Sequence, residues 1–404
     1  MKVLVINCGS SSLKYRLIET DNKSVICKGL CERIGIGGGH FKYEITGSDK
    51  GYEKDIEFPD HNVAVDALIK AITDPDTGVV ADVSEIGAVG HRIVHGGDKF
   101  TEATLITPDV MDIIEECSDL APLHNPANIQ GIRSCLKVMP DTAMVGVFDT
   151  AFHQTLPEKA YLYGIPYECY EKYGIRKYGF HGMSHEYVSK ETAAIMGKDI
   201  KDVKSIICHL GNGASITAVD GGKSVDTSMG YTPLDGIIMG TRCGSLDPEI
   251  VHALVEKTGK SLDDVMHILN FESGVYGLSG YMSSDMRDIR DAYREGNEAA
   301  IRAYDTYIYV IVKYIGSYMA VLGGADAITF TAGIGENSSS LRKHVCDRLK
   351  GLGVEIDDEA NENGKGARLI SREDSKVKVY TIPTDEEMSI ALSTVEVLKI
   401  QGKA

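Results

Sequence analysis

The chain alternates short apolar runs with polar, glycine-bearing turns and amphipathic stretches. Val3-Leu4-Val5-Ile6 is an apolar run, followed by Asn7-Cys8-Gly9-Ser10-Ser11-Ser12 and then Leu13-Lys14-Tyr15-Arg16-Leu17. That pattern predicts strand, tight turn, strand. The same grammar returns in the other half of the chain. There Ser205-Ile206-Ile207-Cys208-His209-Leu210 leads into Gly211-Asn212-Gly213-Ala214-Ser215 and then Ile216-Thr217-Ala218-Val219, a buried-looking strand ahead of an alternating one. Asp326–Ala332 reads as a further strand, followed by the glycine turn Gly333-Ile334-Gly335-Glu336-Asn337 and a helix-like Ser338–Lys343.

Between these landmarks, residues 25–58 read as a run of short strands with Gly35 to Gly39 as a flexible turn. A helix is expected around Val63–Ile72, a strand over Glu85–Val89, and another over Thr142–Phe148 that ends at Asp149-Thr150-Ala151-Phe152. Residues 153–180, rich in Tyr, Gly and Pro, read as a crossover between halves. Ile301, Tyr304, Ile308, Ile311, Ile315, Tyr318 and Leu322 recur at three- and four-residue steps, one face of a long helix stopped by Gly323-Gly324. A final helix begins near Thr384 and is expected to pack back on the first half. Such alternation is the signature of an α/β fold. The expected domains are residues 1–150 with 384–404, and residues 151–383.

Small residues in the two hairpin turns let the backbone approach a ligand closely, and hydroxyls, an amide and Lys14 project from the first. Either turn alone fits a plain hairpin as well as a phosphate cradle. Two of them, one per half, point to a duplicated fold with a nucleotide clamped between the halves. The third turn offers a helix N-terminus to an anion or a ribose. It has neither the dinucleotide-binding spacing nor the Gly-Lys-Ser/Thr of a Walker A loop.

Composition narrows the classes. At 404 residues two domains are the natural expectation, with ordinary hydrophobic (43%) and charged (25%) content. A net charge of −17 argues against nucleic acid and anionic membrane as partners. It makes any local cationic group more telling. The nine Cys are scattered without zinc spacing, Cys27 and Cys31 being the one close pair, and read as reduced, buried thiols of a cytoplasmic protein. The run at Val3 is too short for a signal peptide, and no stretch reaches the length of a membrane span.

Taken together, the chain resembles the acetokinase family over essentially its whole length. The resemblance rests on Asn7–Lys14, His91-Arg92-Ile93-Val94-His95-Gly96-Gly97, Phe148–His153, Gly179-Phe180-His181-Gly182-Met183-Ser184-His185, His209–Gly213, Gly240-Thr241-Arg242-Cys243-Gly244, Asp285–Ile289 and Gly333–Asn337, in the family's order. It implies two duplicated actin-like ATPase (ribonuclease H-like) domains with an interdomain nucleotide cleft. The activity implied is reversible, magnesium-dependent transfer of the ATP γ-phosphoryl group to acetate, giving acetyl phosphate and ADP, with manganese as a substitute ion. A homodimer is implied too, for which the apolar face of the long helix is one possible interface.

The resemblance assigns catalysis to Arg92, Asp149, His181 and Arg242, and makes Arg92 the grip on the substrate carboxylate. Val94, Leu123, Phe180 and Pro233 match the small apolar pocket for the substrate methyl. Lys14, His209, Leu210, Gly211, Asn212, Gly213, Asp285, Met286, Arg287, Gly333, Ile334, Gly335, Glu336 and Asn337 match positions around ATP, and Asn7 and Glu386 match the magnesium ligands.

Ordinary structural readings stand beside these. Arg92 reads equally as a surface ion pair, Asp149 as a strand-ending turn residue, Arg287 as one charge in a solvated stretch, and the four pocket residues as core or turn. His181 and His185 stand four apart, but no third zinc ligand is evident and His185 reads as structural. Asp149 need not act as a base, because a carboxylic acid with a pKa near 4.3, about that of a free Glu, is already ionised at pH 7. It is expected to orient Arg92 or a magnesium-bound water. Thr384 and Glu387 have capping-box spacing, which would leave Glu386 free to face a ligand. The alternatives are a propionate or butyrate kinase, a sugar-type kinase with an aspartate base, and an ATP-switched filament or chaperone-like protein.

Overall fold

The computed structural model describes residues 1–122 and 124–402. The chain forms two compact units, residues 1–152 with the returning segment from Asp385, and residues 153–384. The first carries an eight-stranded sheet made from β1 (Lys2–Cys8), β2 (Ser12–Glu19), β3 (Ser24–Glu32), β4 (His40–Ile45), β5 (Tyr52–Asp55), β6 (Ala88–Ile93), β7 (Thr104–Leu105) and β8 (Ala143–Phe148), in the order β5-β4-β3-β2-β1-β6-β8-β7. The second carries six strands, β9 (Lys204–Leu210), β10 (Ala214–Asp220), β11 (Lys223–Thr227), β12 (Ala327–Thr331), β13 (Arg368–Leu369) and β14 (Lys378–Thr381), in the order β11-β10-β9-β12-β14-β13.

The duplication is visible in strand direction as well as order. β3-β2-β1 is an antiparallel meander that continues into parallel β6 and β8. β11-β10-β9 is the same meander, continuing into parallel β12 and β14. Both turns noted in the sequence are therefore the first hairpin of a unit. Their apolar runs are buried because each lies at the centre of its sheet.

Several expectations shift. The strand placed at Glu85–Val89 is β6, starting at Ala88 and running on through buried Gly90 and His91 to Ile93, while Val83–Glu85 is a single tight turn capped by Asp82. The polar look of His91-Arg92 hid the strand's second half. Residues 153–180 belong to the second unit rather than joining the two, and include the short helices Glu158–Tyr161 and Glu168–Tyr173. β10 does not alternate: Ala214 to Val219 are all buried, with the long helix lying against this strand. Gly333–Asn337 is no open turn but most of a helix, Ala332–Asn337, entered through a left-handed Ala332 (φ 63°).

The long helix spans Glu298–Leu322 and stops at left-handed Gly323, as its spacing predicts. Its face from Tyr304 to Leu322 is buried against β9, β10 and neighbouring helices, with Ile301 half-buried. That face is occupied within its own unit, so it is not available as the subunit interface considered above. The final helix, Glu386–Ile400, packs on β1, β6 and β8 of the first unit. Its cap is not the Thr384–Glu387 box. Asp385 caps it by accepting from the Met388 amide, Thr384 bonds Ser184 instead, and Glu387 faces Arg16 at 3.6 Å. No helix among the described residues is long and apolar enough to cross a membrane.

Helix Asn125–Val138 approaches β1 where it has no side chain. A Cβ on Gly131 would lie 2.4 Å from Cys8 Sγ. Gly131→Ala should therefore destabilise by about 1–3 kcal/mol from overpacking, despite a helix-propensity gain of about 1 kcal/mol. Urea titration checks this, and adding Cys8→Ala should restore most of the loss.

Candidate active site

In the first unit, the ends of parallel β1, β6 and β8 share one edge. Ile6 pairs with His91 and Ile93 with Phe148, a register that sets Asn7 level with Arg92 and Asp149 one step beyond β8. Arg92 Nε donates to Asp149 Oδ1 at 3.0 Å and Nη2 to Oδ2 at 2.7 Å, a two-pronged bond to a buried carboxylate. Burial works against the Arg92 charge, but Asp149 outweighs it and holds the guanidinium pKa above its ordinary value. Five N–H donors less the two used leave three for a ligand.

Glu386 lies within electrostatic reach of Arg92, Asp149 and Lys14. Burial raises its carboxyl pKa, against the pull of Arg92 and Lys14. Lys14 sits across the hairpin from Asn7 and is exposed. The side chains of Asn7 and Glu386 engage no hydrogen-bond or ion-pair partner among the described residues. Val94 is half-buried at the end of β6, and Leu123 lies outside the described residues.

In the second unit, His181 caps helix Gly182–Ile195 with a left-handed backbone (φ 57°), a strained position for a residue with a side chain. Its ring stacks on His209 at 4.2 Å. Arg242 is half-buried and has no carboxylate partner among the described residues, and burial lowers its pKa. A Cβ added to Gly213 would stand 3.6 Å from both Arg242 Nη1 and His181 Nε2, so the two groups meet over the glycine turn. Gly240 is required by close approach, since a Cβ there would fall 1.9 Å from Asn212 Oδ1. Phe180 is buried and its carbonyl accepts from His153 Nε2 at 2.9 Å, while Pro233 is half-buried. The apolar set from the sequence is thus divided between units, with Val94 in one and Phe180 and Pro233 in the other.

A cavity of about 520 Å³ lies beside this turn, lined by Gly211, Asn212, Asp285, Met286, Arg287, Gly333, Ile334 and Asn337, together with Ser284, Arg290 and Ser338. Arg287 is largely exposed and folded onto Asp285. Leu210, Gly213, Gly335 and Glu336 do not line the cavity. Leu210 is core, Gly335 packs on Phe330, and Glu336 accepts from the Thr384 amide at 3.2 Å.

A model of the acetokinase family matches residues 2–392 of the chain. The chain belongs to the acetokinase family. It is 53% identical over 399 residues to an acetate kinase of Clostridioides difficile (strain 630), covering 99% of this chain and 100% of that one. It is 55% identical to an acetate kinase of Agathobacter rectalis, covering 98% and 100%. Among solved structures, Porphyromonas gingivalis acetate kinase superposes with a TM-score of 0.94 at 44% identity, covering 98% and 99%. A propionate kinase from Francisella tularensis superposes at 0.90 and 39%, covering 97% and 98%. The acetokinase membership makes this chain a kinase, and the duplicated sheets described above are the actin-like ATPase fold.

Several residues that shape this acetokinase site were not singled out in the sequence. Asn128 accepts from the Val94 amide (3.1 Å) and donates to the Cys8 carbonyl (2.7 Å), tying the end of β6 to that of β1. Asn125 brackets the His95 backbone, accepting at 3.1 Å and donating at 2.9 Å. Buried Arg342 donates to the carbonyls of Gly335 and Glu336 and to Asn361, bracing the helix beside the cavity, and burial lowers its pKa to about 10. The signal for Asn125 was its place ahead of Pro126 at a helix start. Arg342 had none, since a mid-helix Arg normally reads as surface.

Buried histidines give the protein an acid limit. Burial pushes His95 and His153 down to about 4 and His91 to about 3, and holds His185 well below the usual imidazole value. Between those values and about 6.5 the unfolded chain binds protons that the folded chain does not, so stability falls as pH drops through that window. The urea midpoint should be flat above pH 7 and decline steadily from about pH 6.5 to 4. A midpoint that rises on acidification would contradict this burial.

Proposed function

We propose that this kinase transfers the γ-phosphoryl group of ATP reversibly to acetate, forming acetyl phosphate and ADP by direct in-line displacement. A carboxylate oxygen bonds to the γ-phosphorus as the bond from that phosphorus to the ADP oxygen breaks. The observation that carries this reading is the two-pronged Arg92–Asp149 pair. A kinase acting on a hydroxyl needs a free aspartate to accept the hydroxyl proton. Here the aspartate is committed to a guanidinium, which suits an acceptor that arrives already ionised. Arg92 keeps N–H groups for the carboxylate, while Arg242 and His181 supply cation and donor to the equatorial phosphoryl oxygens. Asp149 is the residue that orients Arg92.

The nucleotide reading is supported by the cavity beside the Gly211–Gly213 turn and the helix at Ala332, with the adenosine portion assigned to the walls formed by Asp285–Arg287 and by Gly333, Ile334 and Asn337. Asn7 and Glu386 offer oxygen atoms that accept no hydrogen bond among the described residues, and a half-buried carboxylate favours a cation. This donor set fits a magnesium ion that keeps most of its waters. When bound there, the ion would neutralise charge on the transferred phosphate. The fold does not set acyl length, since the propionate kinase superposes almost as well. Val94, Phe180 and Pro233 are the side chains assigned to that choice.

Hydroxamate trapping with acetate, propionate, butyrate and glycerol side by side tests the reading. Acetate should be preferred, with kcat/KM for propionate lower by about 10- to 200-fold, the range one methylene commands in an apolar pocket. ADP release with glycerol and no hydroxamate with acetate would overturn it. Removing the Arg242 donors (Arg242→Ala) should cut kcat by about 10²–10³-fold. Asp149→Asn with nearly full activity would dismiss it as the orienting group. Because burial raises the Glu386 pKa, acidification protonates it ahead of an ordinary glutamate. The magnesium concentration giving half-maximal rate should therefore rise on acidification, and at a higher pH than an ordinary glutamate would make it, and Glu386→Gln should flatten that dependence.

A further inference from the structure

The two stacked histidines beside the glycine turn are each held from behind by a buried serine. His181 Nδ1 lies 2.8 Å from Ser215 Oγ, and His209 Nδ1 lies 2.7 Å from Ser184 Oγ. Both serines are fully buried. Ser215 has a second neighbour, since His185 Nε2 stands 2.7 Å from the same Oγ. Ser184 likewise meets Thr384 Oγ1 at 2.8 Å. With Nδ1 engaged on the buried side, the Nε2 of each ring faces the turn: His181 Nε2 lies 3.6 Å from where a Gly213 Cβ would be, and His209 Nε2 lies 4.0 Å from that of Gly211.

Hydrogen-bond satisfaction orders the protons in this chain. His185 is fully buried and neutral, because burial and its histidine neighbours disfavour its charged form. Its Nδ1 has no partner among the described residues. A proton on Nδ1 would be a buried donor with no acceptor, the rarer and costlier arrangement. The proton therefore sits on Nε2 and is donated to Ser215 Oγ. Ser215, one of its two acceptor sites thus filled, has its own hydrogen to give, and His181 Nδ1 is the neighbouring acceptor. That leaves the His181 proton on Nε2, the nitrogen facing the turn.

We propose that Ser215 and His185 are positioning residues that fix His181 as its Nε2–H tautomer, so that it presents a donor rather than a lone pair at the Gly211–Gly213 turn. The Ser184–Thr384 pair is the matching support for His209. Groups set beside His181 from other elements include His209 on β9, Ser215 on β10 and Arg242 in the Gly240–Gly244 loop. The inference rests on the phosphotransfer reading only for its consequence. The tautomer itself is a property of the second unit.

The test reads the tautomer directly. Full-length enzyme labelled with ¹⁵N-histidine is examined by long-range proton–nitrogen correlation at pH 7.5, with His181 identified by its absence from the His181→Gln spectrum. A protonated Nε2 and bare Nδ1 are expected. A proton on Nδ1 overturns the proposal without any variant having to fold. In kinetics, Ser215→Ala and His185→Leu should each lower kcat by about 10- to 100-fold, the usual weight of a group that orients a working side chain. KM for acetate and ATP should stay within about twofold. His185→Gln, whose amide places a donor near the old Nε2, should recover part of the rate. Folded Ser215→Ala and His185→Leu enzymes with undiminished kcat would also overturn it. Failure of the acetate reading looks different: it would appear as absent hydroxamate in the unmodified enzyme, with the tautomer spectrum unchanged.

Discussion

Arg92 and Asp149 hold each other because neither charge tolerates its position alone. Taking an ion out of water costs several kcal/mol, and a paired geometry with two short hydrogen bonds offsets most of that. The pair forms where two parallel strands end side by side, the edge at which α/β sheets collect their ligand sites. Parallel β6 and β8 supply that edge, and the amide of Asp149 bonds the Ile93 carbonyl to extend it by one step. Asn128 then fixes β1 to the same edge. Loss of either charge strands the other, which is why the proposed function treats the acid as the guanidinium's anchor and not as a base.

The two units solve the polar problem of their strand ends differently, although their strand order is the same. The first uses full charges, with an arginine, an aspartate and a glutamate at the ends of its sheet and on the helix that packs there. The second sets imidazoles backed by serine hydroxyls where the parallel strands β9 and β12 finish, with the Arg242 guanidinium beside them. Neutral networks desolvate more cheaply than charges, and they can be buried wholly. This explains why His153, His185, Ser184 and Ser215 are fully enclosed while Arg92 and Arg242 stay partly open.

How much of this the sequence showed follows from what each signal encodes. Apolar runs flanking small-residue turns are local, so the hairpins, the long helix and its glycine stop were all visible. Where a polar side chain is buried by something distant in sequence, the local pattern misleads. β6 was cut short because His91 and Arg92 look like surface residues, and their burial depends on β1 and β8. The cap at Asp385 was missed because Thr384 also had the right chemistry, and only its bond to Ser184, some two hundred residues away, decides between them. The same holds for the candidate site. Arg92, His181 and Arg242 stand in motifs that single them out as candidates, whereas Asn128, Ser215 and Arg342 make contacts no spacing encodes.

The net charge of −17 makes a substrate pair of carboxylate and polyphosphate seem ill matched to this protein. The distances argue otherwise. At physiological salt the field of remote surface carboxylates is screened over about 8 Å, so a bound anion feels chiefly what touches it. At 4 Å and an effective dielectric near 20, one guanidinium contributes about 4 kcal/mol before desolvation. Arg242, with no carboxylate among the described residues to neutralise it, keeps that attraction for a ligand. The surplus of acid elsewhere then acts on encounter rather than on binding, which ties ionic strength to the rate of substrate capture and leaves an anion held beside Arg242 to its immediate neighbours.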